Sequence, residues 1–214
     1  VGAKCDLQLP RPLCYNTFPM IDTSKPLNFS DFELDPRCLT VLQEMKITDP
    51  SPVQAQAIPA ALEGRDIVAT AQTGTGKTLA FSLPSLTRLA RKKSGSNRML
   101  VLAPTRELCA QVESVMQALC KPFKMHSVAV YGGVGMHGQI EKLTRGCEII
   151  VATPGRLLDH LSRKNLNFEH LEILVFDEAD RMLDMGFLPD IRKIVKLLPQ
   201  KRQTLMFSAT FAPT

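Results

Sequence analysis

Six short apolar runs set the strongest limit on what this chain of 214 residues can fold into. They are Asp66–Ala71, Met99–Ala103, Ser127–Tyr131, Glu148–Ala152, Ile173–Phe176 and Thr204–Phe207. Each is nearly all apolar instead of alternating, which suits strands covered on both faces, as parallel strands are. Helix-length segments such as Arg106–Leu119 and Gly155–Leu161 lie between them. Strands joined by helices in this way imply right-handed crossovers and an α/β doubly wound, mostly parallel sheet with helices on both faces. Ligands of such sheets bind at the carboxyl ends of the strands, so the residues that follow each run are the ones to read for chemistry.

Ahead of the sheet, Leu39, Leu42 and Met45 predict a short helix, with Asp35 as cap and Pro36 in its first turn. A second helix is expected over Pro52–Leu62, closed by Gly64. Residues 1–26 hold four prolines and no clear period and read as a tail, leaving residues 27–214 as one domain. With 44% hydrophobic and 22% charged residues, collagenous, disordered and coiled-coil chains are excluded. The net charge of +5 permits a polyanionic partner without identifying one. The basic run Arg91-Lys92-Lys93, with Arg88 one turn earlier, reads as a solvated helix end that complements the dipole. Cys5, Cys14, Cys38, Cys109, Cys120 and Cys147 form no CxxC pair and are expected to be reduced and mostly buried. His126, His137, His160 and His170 lack ligand spacing, so a His/Cys metal site is not expected. No uncharged apolar stretch reaches the roughly 18–20 residues of a membrane span. No secretory signal is visible, and the first residue is Val, so an upstream segment could have been removed.

The first strand runs into Ala71-Gln72-Thr73-Gly74-Thr75-Gly76-Lys77-Thr78 and then a helix beginning Leu79-Ala80-Phe81. Glycines there let backbone N–H groups turn in around phosphate oxygens, and the helix N-terminus adds its dipole. Lys77 is placed to reach the β/γ-phosphates, and the Thr78 hydroxyl to ligate Mg2+. Ala71 stands where the strict pattern has Gly. A triphosphate site also needs a carboxylate on a neighbouring strand, and Asp177-Glu178-Ala179-Asp180 follows Ile173–Phe176. Asp177 is placed to hold Mg2+ largely through water, and Glu178 to polarise the attacking water.

The spelling Asp-Glu-Ala-Asp at 177–180, together with the loop at 71–78, resembles the N-terminal RecA-like domain of the DEAD-box RNA helicases. Pro104-Thr105-Arg106-Glu107-Leu108 resembles that family's motif Ia, Gly132-Gly133 its GG element, Thr153-Pro154-Gly155-Arg156 its motif Ib and Ser208-Ala209-Thr210 its motif III. They occur in family order over roughly Phe29 to Thr214. The wording of Arg181–Phe187 and Lys201–Thr204 is similar to the bacterial RhlE-type subgroup. The resemblance implies an ATP-dependent RNA helicase with ATP or ADP and Mg2+ as cofactors. It also implies that Pro104, Thr105, Arg106, Gly133, Thr153, Gly155 and Arg156 contact the RNA sugar–phosphate chain, which makes binding sequence-independent and salt-sensitive. Taken singly, each of these is equally a cap or tight turn, and Thr153-Pro154 reads as an N-cap with Pro in the first turn.

Pro50-Ser51-Pro52-Val53-Gln54 resembles the adenine-reading Q motif. A Gln amide pairs one donor and one acceptor with the adenine edge, so Gln54 selects ATP over GTP. Phe29, 17 residues before Lys46, stacks on adenine by resemblance or else packs the tail onto the domain, which is the expected role of Phe32. The chain departs from the usual motif at Lys46 in place of Gly, at Ile47 in place of an aromatic that lies near the base, and at Ser51 in place of Thr. The resemblance further gives Ser208 and Thr210 the task of linking hydrolysis to strand separation, with Asp180 as partner.

The chain ends four residues after Thr210 and contains no HRxGR segment. The resemblance assigns the arginine that stabilises charge on the γ-phosphate to a second RecA-like domain, so this stretch alone is expected to be monomeric, to bind nucleotide, and to hydrolyse little. A DNA-acting enzyme of the same superfamily and an ATP-gated RNA clamp are the alternative readings. Regulatory protein partners fit either, and the expected setting is intracellular, cytoplasmic or nuclear.

Overall fold

The computed structural model of the protein describes residues 28–91 and 96–210. Six strands, β1 (Ile67–Thr70), β2 (Met99–Leu102), β3 (Ser127–Val130), β4 (Ile149–Ala152), β5 (Ile173–Phe176) and β6 (Gln203–Ser208), form one sheet in the order β1-β6-β5-β2-β4-β3. Every pairing is parallel, as the six apolar runs predict. Successive side chains of a strand point to opposite faces, and β2, β4 and β5 are buried on both, whereas alternate residues of the edge strands β1 and β3 are only half-buried or exposed. Met99, Val101, Ile149, Val151, Ile173, Val175, Leu205 and Phe207 belong to one core cluster, whereas Leu100, Leu102, Ile150, Ala152, Leu174 and Phe176 belong to the other.

The first cluster is covered by α1 (Pro36–Glu44), α2 (Pro52–Leu62), α3 (Lys77–Ala90) and α4 (Arg106–Cys120), and the second mainly by α6 (Pro154–Ser162), α7 (Ala179–Asp184) and α8 (Leu188–Leu197). Helix α5 (Met136–Thr144) lies beside β3 and contributes Leu143 to the second cluster. The expected Asp35 cap forms: its carboxylate accepts from the Arg37 N–H at 3.0 Å, with Pro36 next in sequence. Cys38, Cys109, Cys120 and Cys147 are buried free thiols, and burial pushes each up, to about 11 for Cys38 and about 12 for the other three. Cys5, Cys14, Lys92, Lys93 and the tail at 1–26 lie outside the described residues. No helix among the described residues is long and apolar enough to cross a membrane.

Arg88 departs from the solvated helix end expected for it. It sits half-buried at the junction of α2, α3 and β6, where its Nη1 donates to Gln203 Oε1 and to the Ala61 carbonyl at 3.4 Å. Burial holds its guanidinium below the ordinary value. The reason is that Gln203, whose Nε2 donates to the Ala61 and Arg65 carbonyls at 3.0 and 2.7 Å, leaves its own amide oxygen facing Arg88.

The strand order divides the carboxyl edge of the sheet into two halves. The neighbours β1, β6 and β5 run into 71–78, 208–210 and 177–180, and the neighbours β2, β4 and β3 run into 104–106, 153–156 and 132–133.

Candidate functional site

On the β1-β6-β5 half, the chain leaves β1 through Ala71, whose N–H donates to the Ser208 carbonyl at 2.9 Å and so continues the ladder to β6. Ala71 is absent from the positive-φ residues, so the turn does not require a glycine there. The loop closes on Gly76 at φ +87, the residue that caps α3, and a Cβ at that position would lie 2.3 Å from Gln54 Nε2. Gln72, Thr73 and Gly74 are exposed, and Thr75 Oγ1 folds back to donate to the Gln72 carbonyl at 2.7 Å.

Three buried polar atoms next to this loop have no hydrogen-bond partner among the described residues: Lys77 Nζ, Asp177 Oδ1 and Ser51 Oγ. Lys77 and Asp177 are 6% and 2% exposed. A buried cation and a buried carboxylate oxygen left without bonds are costly unless a ligand completes them, which is the fit expected of a phosphate and its divalent cation. Burial pushes the Asp177 carboxyl up to about 6, against the pull of nearby Lys77. Thr78, half-exposed in the first turn of α3, supplies the hydroxyl expected for Mg2+.

Glu178 is buried, and its Oε1 accepts from Thr73 Oγ1 of the loop at 3.4 Å. Its other oxygen pairs with Arg181 Nη1 at 3.2 Å, a contact the sequence reading missed. Glu178 caps α7 in the left-handed conformation, φ 53 and ψ 55. That strained turn carries two adjacent carboxylates off a single strand end.

Asp180 lies against the 208–210 turn. Its Oδ2 accepts from the N–H groups of Ala209 and Thr210 at 3.0 and 2.9 Å and from Thr210 Oγ1 at 3.0 Å. Ser208 Oγ, fully buried, accepts from the Asp180 N–H at 3.3 Å and donates to the Thr210 carbonyl at 2.6 Å. Partial burial by itself raises the Asp180 carboxyl, but the hydrogen bonds from Thr210, Arg181 and Ser208 outweigh it and hold the group below its ordinary value.

Upstream, Gln54 is 3% exposed and bonded at both ends of its amide, to Ser51 N–H and to the Gly76 carbonyl. Phe29 is 4% exposed in a 3-10 turn and meets the ring of Phe32 edge-on at 6.3 Å. Phe29, Leu39, Lys46 and Ile47 line a groove of about 500 Å³. Lys46 has φ 57, so the position where the resembled family carries glycine is a left-handed one.

On the β2-β4-β3 half, Thr105 caps α4, with Oγ1 accepting from the Leu108 N–H at 3.2 Å. Pro104 precedes it and Arg106 opens the helix. Thr153 occupies the N-cap of α6 with Pro154 next, but its side chain makes no capping bond, so its hydroxyl is not spent on the helix. A Cβ at Gly133, φ +82, would come within 2.9 Å of Arg106 Nη1. Arg156 Nη1 donates to the Val134 carbonyl at 3.1 Å, and a Cβ at Gly155 would meet nothing within 4 Å. Two arginines, the half-buried hydroxyls of Thr105 and Thr153 and backbone amides therefore border one stretch of strand ends, groups of the kind that contact phosphates without reading bases.

The chain is 46% identical over 182 residues to the ATP-dependent RNA helicase CshA of Listeria monocytogenes, covering 85% of this chain and 35% of that protein. It is 46% identical over 195 residues to the ATP-dependent rRNA helicase RRP3 of Debaryomyces hansenii, covering 89% and 41%. To the human ATP-dependent RNA helicase DDX42 it is 44% identical over 188 residues, covering 86% and 20%. The chain thus spans well under half the length of these relatives. The DEAD/DEAH box helicase pattern matches residues 51–214, which takes in the phosphate loop, the acidic turn and every strand end described above. A match of that extent makes this chain a member of the DEAD/DEAH box helicase family.

Proposed function

We propose that the chain is the ATP-binding half of an ATP-dependent RNA helicase, which couples ATP binding and hydrolysis to the unwinding or remodelling of RNA duplexes. The observation that carries this reading is the pair of buried, unpartnered groups, Lys77 Nζ and Asp177 Oδ1, at the phosphate loop. Lys77 neutralises the β/γ-phosphates, Thr78 and Asp177 hold Mg2+, the aspartate largely through water, and Glu178 orients the attacking water. Bound Mg2+ supplies charge neutralisation on the phosphate oxygens. Gln54 reads the adenine edge, with Phe29 and Ile47 beside the base. Pro104, Thr105, Arg106, Gly133, Thr153, Gly155 and Arg156 bind the RNA backbone without sequence preference. A second RecA-like domain supplies the cation that completes the active site, so this chain alone binds nucleotide as a monomer and turns it over slowly. The buried free thiols support an intracellular setting, cytoplasmic or nuclear.

Titration of a fluorescent ADP analogue with and without Mg2+ tests the reading. Saturable binding that Lys77→Ala removes supports it, and equal binding by Lys77→Ala overturns it. For RNA, the affinity for a single-stranded oligonucleotide should fall linearly in log–log form with salt and be independent of base composition.

A further inference from the structure

Of the four histidines weighed as metal ligands, His160 is fully buried, in the last turn of α6, and the proposed reaction gives it no task. Its Nε2 lies 3.0 Å from Gln139 Oε1, and its Nδ1 lies 3.4 Å from Asn165 Nδ2. Gln139 is 5% exposed on α5, and its Nε2 donates to the Tyr131 carbonyl at 2.8 Å. Because the Gln139 amide nitrogen is committed to Tyr131, its oxygen faces the ring, so His160 Nε2 carries the proton and donates. Nδ1 is then the acceptor that Asn165 requires. The bonds run in one direction, from Asn165 through His160 and Gln139 to Tyr131.

Tyr131 opens the turn that carries Gly132 and Gly133. That turn is tied to the N-terminal part of α6 at two further points: the Thr153 N–H donates to the Val130 carbonyl at 3.0 Å, and Arg156 donates to the Val134 carbonyl at 3.1 Å. The 130–134 segment and α6, which present Gly133 and Thr153, Gly155 and Arg156 respectively, are thus joined through carbonyls 130, 131 and 134. The middle tie passes through the buried ring. A neutral imidazole suits the position, since burial, with Arg156 and Arg163 nearby, holds His160 below its ordinary value while Asp159 partly opposes them.

We propose that His160 and Gln139 are positioning residues for polynucleotide binding: together they hold the Gly132–Gly133 turn against α6 so that the two backbone-gripping segments keep a fixed separation. This rests on the reading that the β2-β4-β3 half of the edge binds RNA. A rigid turn spares the ordering that a loose one would undergo on binding, so the relay acts on RNA affinity and leaves the nucleotide site on β1, β6 and β5 alone.

The test uses the 214-residue chain, a fluorescent single-stranded oligouridylate, and a fluorescent ADP analogue as control. His160→Leu should weaken RNA binding about five- to tenfold, with ADP affinity within about twofold of wild type. His160→Gln, which keeps a donor near Nε2, should recover most of the loss, whereas a merely space-filling role would favour leucine at least as well. Gln139→Met provides a second route should His160→Leu fail to fold. Combined with His160→Leu it should add little, because both changes break one chain of bonds. Amide exchange at 131–135 without RNA should quicken in either single variant. RNA affinity unchanged in a folded His160→Leu or Gln139→Met variant overturns the relay and leaves the RNA reading standing. A wild-type chain that binds ADP but no RNA overturns both.

Discussion

The side-chain amide of Gln54 donates to the Gly76 carbonyl at 3.0 Å, while its oxygen accepts from the Ser51 N–H at 2.8 Å. Gln54 is therefore a strut beneath the phosphate loop, and a base would meet only the remaining amide hydrogen and lone pair. Gln54→Ala should weaken inorganic tripolyphosphate, which has no base, about tenfold, and ATP by more than that, because ATP also loses its contact at the adenine edge. Unchanged tripolyphosphate affinity, measured by competition calorimetry, would show that Gln54 acts on the base alone. Gly76→Ala, strained in φ and driven into Gln54, should cost at least about 2 kcal/mol in fold stability or lose phosphate binding outright.

Asp177 makes the ligand-free protein sensitive to pH. Its carboxyl titrates at about 6 when folded against an ordinary 3.8, so between those values the folded chain holds more protons than the unfolded one. Stability from this group is then full at the acid end and lost as pH rises through about 6, by roughly 3 kcal/mol at most. Urea unfolding from pH 4.5 to 7.5 should show a fall in wild type that is missing in Asp177→Asn, all other titrations being common to both. Parallel curves for the two proteins would refute the assignment. On the proposed function, in which the ionised Asp177 carboxylate holds Mg2+, Mg2+-nucleotide should bind more tightly across the same rise.

Three exposed lysines hold left-handed backbone at helix ends: Lys46, Lys124 and Lys164, at φ 57, 54 and 57. After α1, the N–H groups of Lys46 and Ile47 donate to the Gln43 and Leu42 carbonyls at 3.0 and 2.9 Å, and Lys164 and Asn165 repeat the pattern after α6. That paired bonding is the helix-ending motif in which glycine is at home. Replacing each lysine by glycine removes left-handed strain at the cost of added freedom in the unfolded chain. Each change should therefore stabilise by about 0.5–1 kcal/mol in chemical denaturation, roughly additively across the three distant sites. A loss of stability at all three would contradict the strain argument.

What the sequence disclosed and what it hid divide along local and non-local lines. The six strands were legible because both sheet faces are buried, so inward and outward residues are apolar alike; the helix over Pro52–Leu62 was legible from its proline start and glycine stop. Helix α5 gave little signal, since it contains Gly138, buries only Gln139 fully and starts without a side-chain cap. The left-handed start of α7 was invisible because Glu178 adopts a conformation its side chain disfavours. Within the site, the loop and the acidic turn could be read from spacing, and the hydroxyl strand end only from the family resemblance. The strut from Gln54 to Gly76, the pairing of Arg181 with Glu178 and the capture of Arg88 by Gln203 depend on folded proximity, which spacing does not encode.

The contact between Asp180 and the 208–210 turn separates two functions that one site could otherwise confound. One Asp180 oxygen takes three donors from Ala209 and Thr210, and only one of those is the Thr210 hydroxyl. Ser208→Ala with Thr210→Ala removes the hydroxyl bonds yet keeps both N–H donors to Asp180. It also keeps the Ser208 carbonyl that accepts from Ala71, so the phosphate loop stays anchored. Nucleotide affinity should accordingly remain within about twofold of wild type, and in a protein carrying the complete helicase core RNA-stimulated ATPase should fall no more than about threefold. On the proposed function, in which the turn follows the state of the acidic motif, strand separation should drop by at least about tenfold. Parallel duplex-unwinding and phosphate-release assays decide the matter: equal loss of both activities would mean that the turn serves hydrolysis itself and not its transmission.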